Sequence, residues 1–280
     1  KNPFNTAYLS RLLSCHQETD QFLKAEKLLK SIIKKNPKRG FLHVYLGYNY
    51  QRQQLKGLAE KHYNLALNSL DKNASSGGIM GHIFKDYNLL DNAISAYEKV
   101  MAKNKNANYS FQIAQIYGEK GNFKKMFESY MNLVDKTETY LSLVKRYTSK
   151  YLTDDPESEV NILFKKTLLR KSSSNPKDVW NVLLSWLFTQ QKDYKKALTQ
   201  EKALYQRNLT DLSAIFGLGK IAFENKNYSE AKECFTFINK TSALSEEKIA
   251  ANLYIAKVAV ATNSSEAEKL FESLFNEFGK

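Results

Sequence analysis

Residues 43–66 read HVYLGYNYQRQQLKGLAEKHYNLA, and this stretch decides the fold. Leu46-Gly47 with Tyr50 opens a unit in which Ala59, Tyr63 and Ala66 follow at helical spacing. A small residue on each of two helices, with an aromatic four positions after the second, predicts a close-packed hairpin of helices. Adding 34 to these positions lands on Gly81, Phe84, Ala93, Tyr97 and Val100, and a step of 33 more gives Ala114, Tyr117, Met126, Tyr130 and Leu133. Ala197 and Ala231 are again 34 apart, with Phe235 four residues after the second. A fixed period of this length marks a stacked array in which each unit buries its apolar face against its neighbours.

The residue types follow from that packing. Gly47, Gly81 and Gly219 in the first helices, and Ala59, Ala93, Ala197 and Ala231 in the second, let the partner backbone approach. Tyr63, Tyr97, Tyr130 and Phe235 fill the groove toward the next unit. Gly121-Asn122-Phe123, Lys192-Asp193-Tyr194 and Lys226-Asn227-Tyr228 read as turns whose aromatic anchors the next helix. Pro37 and Pro176 stop second helices, because proline cannot donate to the ladder.

On these motifs the chain resembles the tetratricopeptide repeat family over residues 6–135 and 176–280. Asn36-Pro37, Leu46-Gly47-Tyr48 and Ala59…Tyr63…Ala66 carry the resemblance. It implies an all-α fold, a right-handed α-solenoid of about eight antiparallel helix pairs. The Lys- and Asn-rich chain is also similar to exported repeat proteins of Bacteroidota, which implies a periplasmic or cell-envelope setting, with the cytoplasm as the alternative. Met126 and Glu201 depart from the pattern, standing where a small residue and an aromatic are expected.

First helices are expected near 6–17, 41–53, 76–87, 107–119, 138–151, 178–190, 211–224 and 246–262. Second helices are expected near 20–35, 56–71, 90–103, 123–135, 157–171, 194–207, 228–240 and 265–278. Three segments result: an N-terminal array (1–135), a degenerate pair (136–175) and a C-terminal array (176–280). Gly77-Gly78 is expected to shorten one first helix and dent the concave wall. Leu270, Phe271, Leu274, Phe275 and Phe278 make the last helix more apolar than a solvent-facing cap, so further repeats or a partner are expected to cover it. The chain opens at Lys1 without Met, as a trimmed or mature segment would.

Composition agrees with an extended helical array. Only 4 Pro and 11 Gly interrupt 280 residues, and the net charge is +13. Such a balance suits nucleic acid, an anionic membrane surface or an acidic protein, but Lys also simply solvates helix faces. The densest clusters are Lys24, Lys27, Lys30, Lys34, Lys35, Lys38 and Arg39, then Lys165, Lys166, Arg170 and Lys171. No apolar run is long enough to span a membrane. Cys15 and Cys234 lie far apart, so no disulfide framework is implied. Leu12-Leu13-Ser14-Cys15 mimics a lipoprotein box but lacks an apolar signal core before it.

The chemistry of an enzyme is not found. Gly219-Lys220 is preceded by Ala214 where a phosphate loop needs Gly, and is followed by Ile221 where it needs Ser or Thr. His16, His43, His62 and His82 never fall at metal-ligand spacing, so no metal and no cofactor are expected. Asp154, Asp155, Glu157 and Glu159 surround Pro156 at a helix start, where acidic residues favour the helix dipole. No Gly-x-Ser-x-Gly elbow is present.

The expected role is therefore non-catalytic. First helices of such an array line its concave groove, which in this register holds Tyr48, Gln51, Arg52, His82, Lys85, Gln112, Gln115, Glu119, Lys145, Trp186, Thr189, Lys220 and Phe223. Tyr, Trp and Arg dominate binding hot spots, which singles out Tyr48, Arg52 and Trp186, although Trp186 equally suits packing against a neighbouring repeat. An extended peptide or protein partner is expected, held by a scaffold or adaptor in a cell-envelope assembly, with no small-molecule substrate. RNA binding is a second reading favoured by charge but lacking the alternating polar pairs that read bases. A regulatory segment of a larger protein is a third.

Overall fold

The computed structural model describes residues 6–209 and 211–278, and among these the chain is all-α, with sixteen α-helices. They follow one another as eight successive pairs: α1 (Thr6–Glu18) with α2 (Phe22–Lys35), α3 (Leu42–Arg52) with α4 (Lys56–Ser69), α5 (Gly77–Asp86) with α6 (Leu90–Lys103), and α7 (Ser110–Glu119) with α8 (Phe123–Lys136). The series continues with α9 (Leu141–Thr148) and α10 (Glu159–Ser174), α11 (Asp178–Gln190) and α12 (Tyr194–Asn208), α13 (Ser213–Glu224) and α14 (Tyr228–Thr241), then α15 (Ser245–Ala261) and α16 (Ala267–Phe278). Two compact units result, residues 1–129 and 130–280, and the division falls inside α8.

Within the first unit α1 packs on α3 and α3 on α5 among the first helices, and α4 packs on α6 among the second. This is the stacking of a helical-repeat solenoid. The same rule places α12 on α14 in the second unit. A single core runs through the first unit from Leu9 and Leu13 through Leu29, Leu46, Tyr63, Phe84 and Tyr97 to Ile116. Amphipathic spacing feeds it: α2 turns Ala25, Leu28, Leu29, Ile32 and Ile33 inward at i, i+3, i+4, i+7 and i+8 while its lysines stay exposed.

The turns within pairs share one device. Asp20, Gln54, Asn88, Gly121, Lys192, Lys226 and Asn263 each stand two residues past a first helix with φ between 52° and 70°. The backbone closes the same way each time. The Gln54 N–H donates to the Gln51 carbonyl at 2.9 Å and the Leu55 N–H to the Tyr50 carbonyl at 3.0 Å, and Asn227 repeats the second bond to Ala222 at 2.9 Å. This pair of bonds satisfies the last carbonyls of the first helix through a left-handed residue. The pair α9–α10 lacks it. There the short 3-10 turn Glu138–Tyr140 precedes an α9 of only eight residues, shorter than the expected 138–151.

Asn161 organises the longer connection that follows. Its buried amide donates to the carbonyls of Thr153 at 2.8 Å and Asp155 at 2.6 Å, and its oxygen accepts from the Thr153 N–H. The acidic stretch before it is structural: Asp154 pairs with Lys192 at 3.0 Å, the Asp155 carboxylate accepts the Glu157 N–H, and Ser158 caps α10.

The glycine pair at 77–78 behaves otherwise than expected. Both residues lie within the first turn of α5, and a Cβ on either would strike Val100 or the Tyr109 hydroxyl. The glycines therefore bring α5 close to its neighbours instead of denting the wall. Pro37 and Pro176 each follow a helix end by two residues, as read. Cys15 and Cys234 are both free. At the last helix Phe271 is 39% exposed and Phe275 73%; the Phe278 side chain lies outside the described residues.

Candidate functional site

The close approach of paired helices fixes where first-helix side chains point. Gly47 lies beneath the Tyr63 ring, so that a Cβ there would meet ring carbons at 2.5 Å and 2.6 Å, and Gly219 lies beneath Phe235 at 2.8 Å. Gly81 sits in the same way under Tyr97. Each aromatic then reaches the following pair: Tyr63 edge-on to Phe84 at 5.7 Å, Tyr97 stacked on Tyr109 at 4.8 Å, Phe235 stacked on Tyr254 at 4.7 Å. One ring thus locks two interfaces. The opposite faces of the first helices are left for solvent or a ligand.

In the first unit those faces enclose an open pocket of about 460 Å³ between α1, α3 and α5. Tyr45, Ile83 and Tyr87 form its apolar wall. Thr6, Ser10, Arg11, His82 and Asp86 add two hydroxyls, a guanidinium, an imidazole and a carboxylate. Tyr48 stacks on the outer side of Tyr87, with centroids 3.8 Å apart and planes 7° from parallel, and Tyr45 meets the same ring edge-on at 6.0 Å. Burial pushes the Tyr45 phenol up to about 12, with the Asp86 charge adding to it, and burial raises Tyr87 as well. Both phenols therefore stay protonated across the physiological range and can donate hydrogen bonds.

The residues singled out from sequence are distributed as follows. His82 lines the pocket and meets Tyr97 edge-on at 6.2 Å, and Tyr48 backs it. Gln51 and Arg52 are exposed at the end of α3, and the Gln51 oxygen accepts the Tyr63 O–H at 2.7 Å. Lys85 and Glu119 pair at 2.9 Å and tie α5 to α7, where Gln112 and Gln115 are half-buried. Trp186, Lys220, Lys145, Thr189 and Phe223 belong to the second unit. Trp186 is half-buried with its ring edge-on to Phe164 at 6.2 Å, and Lys220 is exposed on α13. The Thr189 hydroxyl donates to the Ser185 carbonyl at 2.8 Å, and Phe223 meets Tyr254 edge-on at 6.0 Å.

Glu201 stands where other pairs carry Tyr63, Tyr97 or Phe235, and Ser185 stands where they carry glycine. Burial raises the Glu201 carboxyl above its ordinary range, with the Ser185 hydroxyl and the Lys145 charge pulling it back. Burial likewise lowers Lys145. A polar contact has replaced an aromatic one in this pair.

A histidine pair escaped the sequence reading. His43 on α3 and His62 on α4 bring their Nδ1 atoms to 2.9 Å, with rings 5.2 Å apart and nearly parallel. Tyr50 stacks on His62 at 5.4 Å and donates its O–H to Glu26 at 3.0 Å, and Glu26 pairs with Lys30 at 2.6 Å. Burial, then the neighbouring His43, depresses His62 to about 4, and burial lowers His43. Both rings are neutral at pH 7, so one nitrogen donates and the other accepts. Motif spacing searches within one helix; the signal here was the hairpin register, His43 one turn before Gly47 and His62 one residue before Tyr63. Among the described residues no three metal-binding side chains converge.

Residues 107–135, the α7–α8 pair and the segment leading into it, match the tetratricopeptide repeat family profile. The matched segment is one of the pairs at which the sequence spacing placed a repeat unit. No curated protein sequence matches the chain. Among solved structures it is similar to a tetratricopeptide repeat protein from Parabacteroides merdae, at 14% identity, TM-score 0.30, covering 88% of this chain and 97% of that one. It is similar also to the C-terminal part of a repeat protein from Cytophaga hutchinsonii, at 13% identity and TM-score 0.32, covering 93% and 98%. Pseudomonas aeruginosa PilF aligns at 12% identity and TM-score 0.27, covering 98% and 91%.

Proposed function

We propose that the chain is a non-catalytic scaffold that binds a protein partner through an extended segment laid against its first helices. The observation that carries this reading is the pocket of the first unit. Its apolar wall of Tyr45, Ile83 and Tyr87 suits an inserted side chain, and Arg11, Asp86 and the hydroxyls of Thr6 and Ser10 suit the polar backbone on either side. The wall is held by the same packing that builds the repeats, so the partner meets a preorganised surface and binding orders little of the scaffold. The resemblance to exported repeat proteins of Bacteroidota supports a place in a cell-envelope assembly.

Co-purification from the native cell tests the reading. The wild-type chain is expected to capture a partner that His82→Trp, which fills the pocket, and Tyr45→Ala with Tyr87→Ala, which strip its wall, release by at least about tenfold, the range of a hot-spot loss. A captured partner indifferent to all of these variants would remove the pocket from the account.

A further inference from the structure

The outer face of α2 carries the densest lysine cluster of the chain. Lys24, Lys27, Lys30, Lys34 and Lys35 all lie exposed on it, and Lys38 extends the row beyond the helix end. Over a helix about 21 Å long, the one carboxylate is Glu26, already engaged by Lys30 and Tyr50. Lys24, Lys27, Lys34, Lys35 and Lys38 have no carboxylate within ion-pair distance among the described residues. Several lysines on other second helices are matched, and the unmatched ones there are more scattered than on α2. Lys99 and Lys103 meet Asp71 at 3.1 Å and 3.7 Å, Lys171 meets Asp135 at 3.2 Å, and Lys202 meets Glu233 at 2.9 Å. Among the lysines stands Leu23, 69% exposed.

We propose that this face docks the chain on an anionic lipid bilayer, with the α2 lysines at the headgroups and Leu23 entering the interface. The side chains choose among anionic partners. Protein interfaces are depleted in lysine, whose hydrated ammonium is costly to bury, so an acidic protein fits this surface poorly. Nucleic-acid surfaces add arginine, amide or aromatic side chains that reach bases or stack on them, and the exposed face of α2 has none. A bilayer asks only for clustered cations that keep their water and an apolar residue between them. The helix presents these rigidly, because Ala25 and Leu29 are buried in the core and Tyr50 tethers Glu26.

The test is co-sedimentation of the whole chain with vesicles of phosphatidylcholine, alone or with about one-third phosphatidylglycerol. Binding to the anionic vesicles alone is expected, falling as salt shortens the reach of the charges. Neutralising Lys24, Lys27, Lys34 and Lys35 together to Gln is expected to abolish it, each lysine being worth about fivefold in partitioning. Leu23→Ser is expected to weaken it several-fold. Neutralising four exposed lysines of the second unit, Lys195, Lys226, Lys232 and Lys240, gives the same net charge and is expected to leave binding nearly intact. Circular dichroism of each variant checks that the helices persist. The proposal is overturned if the anionic vesicles do not bind at low salt, if both sets of neutralisations weaken binding equally, or if single-stranded RNA displaces the vesicles from this face.

Discussion

Two glycines of α13 differ by two positions and predict opposite outcomes. A Cβ at Gly217 would meet nothing within 4 Å, whereas one at Gly219 would stand 2.8 Å from Phe235 Cζ and 3.0 Å from both Phe235 Cε1 and Cys234 Cβ. Both lie inside the same helix, so replacing either with alanine gains the same helix propensity, about 0.5–1 kcal/mol. At position 217 that gain is realised in full. At 219 it is offset by overpacking of roughly 1–3 kcal/mol, because Phe235 is stacked on Tyr254 and has nowhere to retreat. Gly217→Ala should therefore stabilise and Gly219→Ala should destabilise or at best be neutral, the two differing by about 1–3 kcal/mol. Urea denaturation followed by circular dichroism measures the difference, and hydrogen exchange of the α13 and α14 amides localises it, since repeat arrays need not unfold as one step. Phe235→Leu in the Gly219→Ala background should recover part of the loss. If Gly219→Ala stabilised as much as Gly217→Ala, the small-under-aromatic contact would not be what spaces the helices, and the explanation of the repeat would fail.

Three further outcomes follow from the polar contacts and turns. His62 has its basicity lowered in the folded state, so the unfolded chain takes up more protons as pH falls; stability should be full above about 6.5 and decline toward about 4. After discounting for solvent the loss is roughly 1–2 kcal/mol, and His62→Gln should flatten the pH profile of urea midpoints. Glu201 is shifted the other way, so its charge disfavours folding at neutral pH; Glu201→Gln should raise the melting temperature at pH 7 and lose that advantage near pH 4, as a differential scan would show. In the turns, Gly121→Ala should cost about 1 kcal/mol by putting a Cβ on a left-handed backbone, while Lys226→Gly relieves the same strain and should be neutral or stabilising by a few tenths. An equal loss from both turn substitutions would contradict the shared geometry.

The helix pairs were legible because their cause is local and periodic. Gly47, Ala59 and Tyr63 recur at a spacing that only a stacked hairpin explains, and every expected helix is present, with the left-handed turn in every pair but α9–α10 among the described residues. Sequence by itself also marked the odd pair, since Glu201 breaks the pattern in the chain before it breaks the packing. It could not place what depends on two helices meeting. His43 and His62 are 19 residues apart, and no spacing rule joins them; the hairpin register does. Gly77-Gly78 reads as a helix breaker by propensity, yet Val100 and Tyr109 press against both residues, and packing outweighs the roughly 1 kcal/mol per glycine that propensity assigns. The pocket walled by Tyr45 and Tyr87 and the unmatched lysines of α2 are likewise tertiary facts. Periodicity says which residues a helix buries; only the neighbouring helices decide which charges find partners and where a cavity is left.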